Sequence, residues 1–95
     1  MTELDIACER APDGGWTCHV AISQDGRPVS EHRVRVASAD LERLDPGAPE
    51  PHLLVDRSLR FLLAREPASS ILRSFDLMMI ARYFPDYETE IRRRA

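Results

Sequence analysis

The chain has 95 residues, a hydrophobic fraction of 43% and a charged fraction of 31%, a composition typical of one folded domain and not of a disordered segment. Its formal net charge of −3 argues against a protein whose main task is to bind nucleic-acid phosphates. No apolar run approaches the roughly 18 residues of a membrane span, and the acidic N-terminus does not resemble a signal peptide. We therefore expect a cytoplasmic protein with no membrane partner.

The basic residues are of one kind. All 13 are Arg, and the chain contains neither Lys nor Asn. Lys and Asn codons are AT-rich whereas most Arg codons are GC-rich, so a GC-rich bacterial genome explains the bias. The choice of Arg over Lys therefore carries no functional information.

Residues 1–37 alternate between apolar and polar side chains, which predicts β-strands. Asp-Gly steps at Asp13-Gly14 and Asp25-Gly26 are typical of hairpin turns. The alternating apolar residues form three sets: Leu4, Ile6 and Cys8; Trp16, Cys18, Val20 and Ile22; Val34 and Val36. This segment is therefore predicted to form a three-stranded antiparallel β-meander.

The numbering of the apolar residues predicts the register of the strands. All of them are even-numbered, so residues that face each other on the core side must have numbers with an even sum. The predicted pairs are Cys8 with Cys18, Cys18 with Val34, Val20 with His32, and Trp16 with Val36. The opposite face is predicted to be solvated and mixed in charge; it carries Asp5, Glu9, Thr17, His19, Arg33 and Arg35.

The spacing of apolar residues becomes helical in the second half. Residues 38–51 are predicted to form one turn, capped by Ser38 or Asp40, and then a loop rich in proline. Residues 52–66 carry apolar residues at helical spacing, namely Val55, Leu59, Leu62 and Leu63.

Residues 52–95 as a whole are predicted to form a helical layer. A helical turn over 68–73, a helix over 77–84 capped by Asp76 and a last segment after Pro85 complete it. The predicted fold class is α+β, with the three-stranded antiparallel meander followed by two or three helices packed on one face (βββαα). We expect residues 1–95 to be a single domain.

The two cysteines and His32 are the first candidates for chemistry. The predicted register places Cys8 opposite Cys18, with His32 diagonal to Cys18 on the same face. The three residues could form a metal or redox site, but a four-ligand set and a Cys-x₂₋₄-Cys spacing are missing. We expect both cysteines to be reduced core residues, because disulfides are rare in the cytosol. The sequence predicts no metal and no cofactor.

No catalytic pattern is evident in the sequence. It contains no G-x-S-x-G elbow, no H-E-x-x-H helix and no glycine-rich phosphate loop. His19, His32 and His52 do not single out a nucleophile, so we expect a non-enzymatic protein with no catalytic residue.

Arginines provide an alternative hypothesis. Arg33 and Arg35 share a predicted strand face, and Arg92, Arg93 and Arg94 lie at the end of the chain. They could contact nucleic acid in a small antitoxin-like regulator. Interleaved acidic residues and the lack of aromatic residues along a strand argue against this alternative.

The stretch before the C-terminus is the leading candidate for a binding surface. It contains more large apolar residues than one helix face can bury. Met78, Met79, Tyr83 and Tyr87 are predicted to form an adaptable surface for an unknown protein partner or a second copy of the chain. The alternative is that a second helical layer buries them.

The same stretch resembles a pattern shared by short bacterial proteins of unknown function. The pattern is L-V-x-x-S-x-x-F-L-L-x-R-E-P-x-x-S-I-L followed by F-D-L-x-x-I-x-x-Y-F-P. The matching residues run from Leu54 and Val55 through Ser58, Phe61 and Arg65-Glu66-Pro67 to Tyr83-Phe84-Pro85. The resemblance implies no activity, ligand or partner.

Overall fold

A computed structural model describes residues 1–93 of the chain. Within these residues the chain forms four β-strands, four α-helices and one 3₁₀ turn. The strands are β1 (Thr2–Arg10), β2 (Trp16–Gln24), β3 (Arg27–Val36) and β4 (Ser74–Asp76), and the 3₁₀ turn is Ala68–Ser70. The helices are α1 (Ser38–Leu44), α2 (His52–Leu63), α3 (Met79–Tyr83) and α4 (Tyr87–Arg93). The fold is α+β.

The strands form one sheet in the order β1-β2-β3-β4. The first three are antiparallel, as predicted, and all four predicted core-face pairs are confirmed, including Cys8 with Cys18 and Val20 with His32. The turn between β2 and β3 has positive φ at Asp25 (53°) and Gly26 (80°), the conformation that an Asp-Gly hairpin turn requires.

One face of the sheet is covered and the other is open. In the middle of β2 and at the end of β3 the even-numbered side chains are at most 4% exposed, namely Cys18, Val20, Ile22, His32, Val34 and Val36. On the odd-numbered face His19, Arg33 and Arg35 are exposed. The helices bury the even face through Leu44, Leu59 and other apolar residues. This part of the sheet therefore has the alternation that burial of one face imposes on an antiparallel sheet.

The fourth strand corrects the predicted number of strands, while the α+β class is confirmed. Residues 68–73 were expected to be a helical turn, but only the 3₁₀ turn forms, and β4 follows it and pairs in parallel with β3. Phe75 lies opposite Val34 and is 4% exposed. Strand β4 exists because α1 and α2 return the chain to the edge of β3, a long connection that parallel pairing requires.

The helices differ from the prediction at their ends. Helix α1 spans the predicted turn, but its N-cap is Ala37 with no side-chain cap, and Ser38 instead donates a hydrogen bond to the Gly14 carbonyl oxygen at 2.5 Å. Helix α2 ends at Leu63 and not near Glu66. The helix predicted over 77–84 is shorter, since α3 spans Met79–Tyr83, and its N-cap is Met78 with no side-chain cap, so the predicted cap by Asp76 is wrong. The Asp76 carboxylate instead accepts a hydrogen bond from the Met78 amide at 3.0 Å in the turn that precedes α3.

The expectation that Cys8 and Cys18 are reduced core residues is wrong. The two sulfur atoms form a disulfide between β1 and β2, and the Cα atoms lie 4.0 Å apart. The predicted register is the physical reason, because it places the two Cβ atoms close together on one face. Disulfides are rare in the cytosol, so the cytoplasmic location stays a prediction that this bond does not support.

Candidate functional site: an apolar groove beside helix α3

An apolar depression of the surface lies between α2, β4 and α3, and we call it the groove. It has a volume of about 370 Å³. Its lining is mostly apolar and comprises Leu62, Glu66, Ser70, Ile71, Leu72, Phe75, Met79, Ile80, Tyr83 and Phe84. Leu72 and Tyr83 are 50% and 68% exposed, so two large apolar side chains stand beside the groove and face solvent.

His32 fixes the segment that carries Leu72. The imidazole is 4% exposed, and its Nδ1 lies 2.7 Å from the Leu72 carbonyl oxygen. Because a carbonyl only accepts, Nδ1 carries the proton and donates. Nε2 then accepts the hydrogen bond from the Ser30 hydroxyl at 2.8 Å. A core residue of β3 therefore holds one wall of the groove.

An aromatic cluster supports the wall formed by Phe84. The Phe61 ring is in edge contact with Phe84 at 5.8 Å and with Tyr87 at 5.3 Å, measured between ring centroids. The Arg65 guanidinium lies over the Phe61 ring at 3.5 Å and also forms an ion pair with Asp86 at 3.1 Å. Contacts of this type fix ring orientation beyond what apolar burial alone provides.

The four residues predicted to form a partner surface separate in the structure. Met79 and Tyr83 line the groove. Met78 is half-buried outside it, where its sulfur accepts a hydrogen bond from the Arg43 guanidinium at 3.5 Å. Tyr87 is 0% exposed, so its assignment to the surface is wrong, and the predicted alternative of burial applies to it.

Tyr87 is a core residue because α4 packs against α2. Its hydroxyl lies 2.6 Å from Ser58 Oγ, and Ser58 Oγ donates to the Leu54 carbonyl oxygen at 2.7 Å. Since the single Ser58 proton is used in that way, the Tyr87 hydroxyl donates to Ser58. Burial raises the pKa of Tyr87 to about 12, and the charge of Asp40 acts in the same direction, while the Ser58 hydrogen bond and Arg43 oppose the shift.

The metal or redox site considered for Cys8, Cys18 and His32 lacks free ligands. Both sulfur atoms are in the disulfide, so neither is a thiolate. Both His32 nitrogen atoms are occupied by Ser30 and Leu72. Across residues 1–93, no group of three or more His, Cys, Asp or Glu side chains is placed to hold a metal ion.

The arginines of the nucleic-acid alternative lie on different layers. Arg33 and Arg35 are exposed on the open face of the sheet. Arg92 and Arg93 are in the last turn of α4, which belongs to the helical layer, and Arg94 lies outside the described residues. The structure does not bring the two groups onto one element, and this alternative stays a prediction.

Arg33 also borders a shallow depression on the open face of the sheet. Ala7 and Ala21 form part of its floor, and it has a volume of about 440 Å³. Its charged border is mixed and comprises Asp5, His19, Glu31, Arg33 and Arg73. A border of both signs does not select an anion such as a phosphate.

Leu72 is absent from the predicted partner surface, because it follows a 3₁₀ turn and belongs to no periodic element. The one sequence signal that it carries is its place as the last Leu of the S-I-L step in the pattern given above. The burial of Tyr87 did have a sequence signal. Tyr87 and Ile91 are spaced i, i+4, as on one buried helix face, and both side chains are at most 1% exposed in the structure.

Within residues 1–93, no helix is both long and apolar enough to cross a membrane.

Comparison of the chain with protein-family models, with curated proteins and with solved structures gives no match in any of the three.

Proposed function

We propose that this protein is a non-enzymatic interaction module whose groove receives apolar side chains of a protein partner. The observation that carries the proposal is the exposure of Leu72 and Tyr83 beside an apolar cavity of about 370 Å³. Exposed apolar side chains at the border of a concave apolar surface are typical of protein-binding sites.

The chemistry of the groove supports a protein partner over a reactive substrate. Glu66 is the one acidic residue of the lining, which contains no basic residue. Ser70 is the one aliphatic hydroxyl of the lining, and no histidine is among the residues that line the groove to act as a base. Apolar lining with few polar groups binds by burial of apolar surface.

Met79 adds adaptability to the groove. A methionine side chain is unbranched and polarisable, so it fits partners of different shape. Met79 is half-buried in the free protein, which leaves part of its surface available for a partner.

The experiment is a native pull-down of the tagged protein from its own host, with nuclease present, read by mass spectrometry. The test variant is Leu72→Ser combined with Tyr83→Ser, since both side chains are at least half exposed and contribute little to the core. The matched control is Leu53→Ser, because Leu53 is 54% exposed on α2 and does not line the groove.

The proposal expects a captured protein that is lost with the double variant and retained with the control. Capture that is equal in all three forms, or that disappears with nuclease, contradicts it. The mass of the purified protein at increasing concentration identifies the case in which the partner is a second copy.

A further inference from the structure

Strand β1 has a free edge. In the sheet order β1-β2-β3-β4, β1 pairs on one side only, and it is nine residues long, whereas the strand at the other edge has three. Proteins usually protect long edges with Pro, Lys, a bulge or a covering segment. Strand β1 contains neither Pro nor Lys, and the irregularity of the ladder lies between β2 and β3 at Ile22/Ser23.

The hydrogen bonds at both ends of β1 show which backbone groups point outward. The Ala11 amide donates to the Gly15 carbonyl oxygen at 2.8 Å, and the Asp25 amide donates to the Met1 carbonyl oxygen at 2.9 Å. The backbone amide and carbonyl groups of the odd-numbered residues in this segment therefore form their hydrogen bonds with β2. The Cα distance of 4.0 Å between Cys8 and Cys18 agrees, because it is nearer to the roughly 4.5 Å of a pair without mutual hydrogen bonds than to the roughly 5.5 Å of a hydrogen-bonded pair.

The even-numbered residues of β1 consequently direct their amide and carbonyl groups to the free edge. Leu4, Ile6 and Cys8 each offer one donor and one acceptor there. Within residues 1–93, the hydrogen bond that reaches this edge comes from Arg60, whose guanidinium donates to the Thr2 carbonyl oxygen at 3.4 Å.

The side chains of β1 are also incompletely covered. Leu4, Ile6 and Cys8 are half-buried, whereas their partners Ile22, Val20 and Cys18 on β2 are at most 2% exposed. An added strand with apolar residues on the same face would complete the burial of the three β1 residues.

The other face of β1 determines which strand can be added. It carries Glu3, Asp5 and Glu9, with Ala7 between them. In an antiparallel pairing of two copies centred on Ile6, Glu3 of one copy faces Glu9 of the other. Centring on Asp5 places Asp5 opposite itself, and centring on Ala7 places Asp5 opposite Glu9. Each of these registers sets carboxylates directly against each other, which is destabilising.

We propose that the free edge of β1 binds an extended segment of a partner protein that alternates apolar residues with Arg or Lys. The backbone of the segment pairs with Leu4, Ile6 and Cys8, its apolar side chains extend the core face, and its basic side chains face Glu3, Asp5 and Glu9. This mode is β-strand addition. The surface is separate from the groove and does not depend on its proposed function.

The probe is the labelled peptide Arg-Val-Thr-Val-Arg-Val-Arg, whose antiparallel pairing places Arg opposite Glu9, Asp5 and Glu3. One control peptide replaces every Arg by Glu. A second replaces the central Val by Pro, which removes a backbone donor and keeps the charge. Fluorescence anisotropy at fixed salt measures binding, and we expect both controls to bind at least about tenfold more weakly.

Hydrogen exchange tests the register. On addition of the basic peptide, the amides of Leu4, Ile6 and Cys8 should gain protection. The amides of Asp5 and Ala7 should already be protected in the free protein, since they bond to β2. Protection of Leu4, Ile6 and Cys8 in the free protein, or binding of the Pro peptide equal to that of the basic peptide, would overturn the proposal.

Two variants complete the test. In a pair of copies centred on Ile6, Glu9→Arg places an arginine opposite Glu3 and so replaces repulsion by attraction. The variant should therefore self-associate more strongly than the unmodified protein in sedimentation and should bind the basic peptide more weakly; unchanged peptide binding would contradict the edge site. The double variant Leu72→Ser/Tyr83→Ser should bind the peptide as the unmodified protein does. Loss of peptide binding in that variant would place the peptide in the groove and refute the edge site.

Discussion

The groove and the free edge of β1 differ in what they offer a partner. The groove presents side chains from α2, the 3₁₀ turn, β4 and α3, which the fold brings together from separate parts of the chain. The edge presents the backbone of one strand. Side chains in a groove favour a partner of complementary shape. A strand edge favours a partner segment in extended conformation, and the acidic residues of β1 also favour a segment with positive charges.

The two surfaces also differ in what holds them in place. The groove depends on His32 and Leu72, which are 40 residues apart in sequence. The edge depends on β1 and β2, which are joined by a short turn and by the disulfide between residues 10 apart. A change that loosens one surface should therefore leave the other in place.

Reduction of the disulfide should have the largest effect. Because the bond closes a loop of about ten residues, the loop-entropy relation gives a loss of about 3 kcal/mol in the free energy of unfolding. Urea denaturation with and without dithiothreitol measures it, and hydrogen exchange should rise in β1 before α3. The double variant Cys8→Ala/Cys18→Ala is the control and should not respond to the reductant. Faster exchange in α3 than in β1 would contradict the separation of the two surfaces.

His32→Leu should loosen the groove. It removes the donor to the Leu72 carbonyl oxygen, and because this hydrogen bond is part-buried its loss should cost about 1 kcal/mol, at the low end of the cost of an unpaired acceptor. Partner capture through the groove should fall while binding of the basic peptide to β1 is unchanged. Ser30→Ala is the matched control, since it removes the hydrogen bond to Nε2 and keeps the one to Leu72. An equal loss of peptide binding would show that the two surfaces are coupled.

Ser58 and Tyr87 test the packing behind the groove. Ser58→Ala leaves the buried Tyr87 hydroxyl without an acceptor and should cost about 1–3 kcal/mol. Tyr87→Phe removes that hydroxyl and keeps the bond from Ser58 to Leu54, so it should cost only about 1 kcal/mol. Chemical denaturation of both variants measures the two losses in unfolding free energy. A larger loss for Tyr87→Phe than for Ser58→Ala would refute the assignment of Tyr87 as the donor.

Alkaline pH should have the smallest effect. The pKa of Tyr87 is raised from 10.0 to about 12 in the folded protein, chiefly by burial. The stability that this group contributes is complete well below pH 10 and is lost as pH rises toward 12, with about 1.4 kcal/mol gone by about pH 11. The control is Tyr87→Phe, which lacks the titrating hydroxyl and should lose less stability over that pH range. Identical plots of unfolding free energy against pH for the two proteins would contradict the raised pKa of Tyr87.

The pairs on the core face of β1, β2 and β3 could be predicted, because alternation and two Asp-Gly turns together favour one register. The register shift at Ile22/Ser23 had no signal in the alternation. Strand β4 could not be predicted, since three residues carry no periodicity and their partner lies on β3, far away in sequence. Of the residues that line the groove, Met79 and Tyr83 belong to the predicted surface, whereas Leu72 does not because it lies in no periodic element. The disulfide was hidden by an assumption about the compartment, although the register already placed Cys8 opposite Cys18.

The parallel pairing of β3 with β4 has a consequence for the order of folding. Closing a loop of 40 residues between His32 and Leu72 costs about 1–2 kcal/mol more chain entropy than closing the turn between β1 and β2. We therefore expect the three-stranded meander to form in the transition state and β4 to dock afterwards. In kinetic measurements, Phe75→Leu should mainly speed unfolding, whereas Val20→Ala should slow folding. The groove is then the last part of the molecule to be assembled and the first to open.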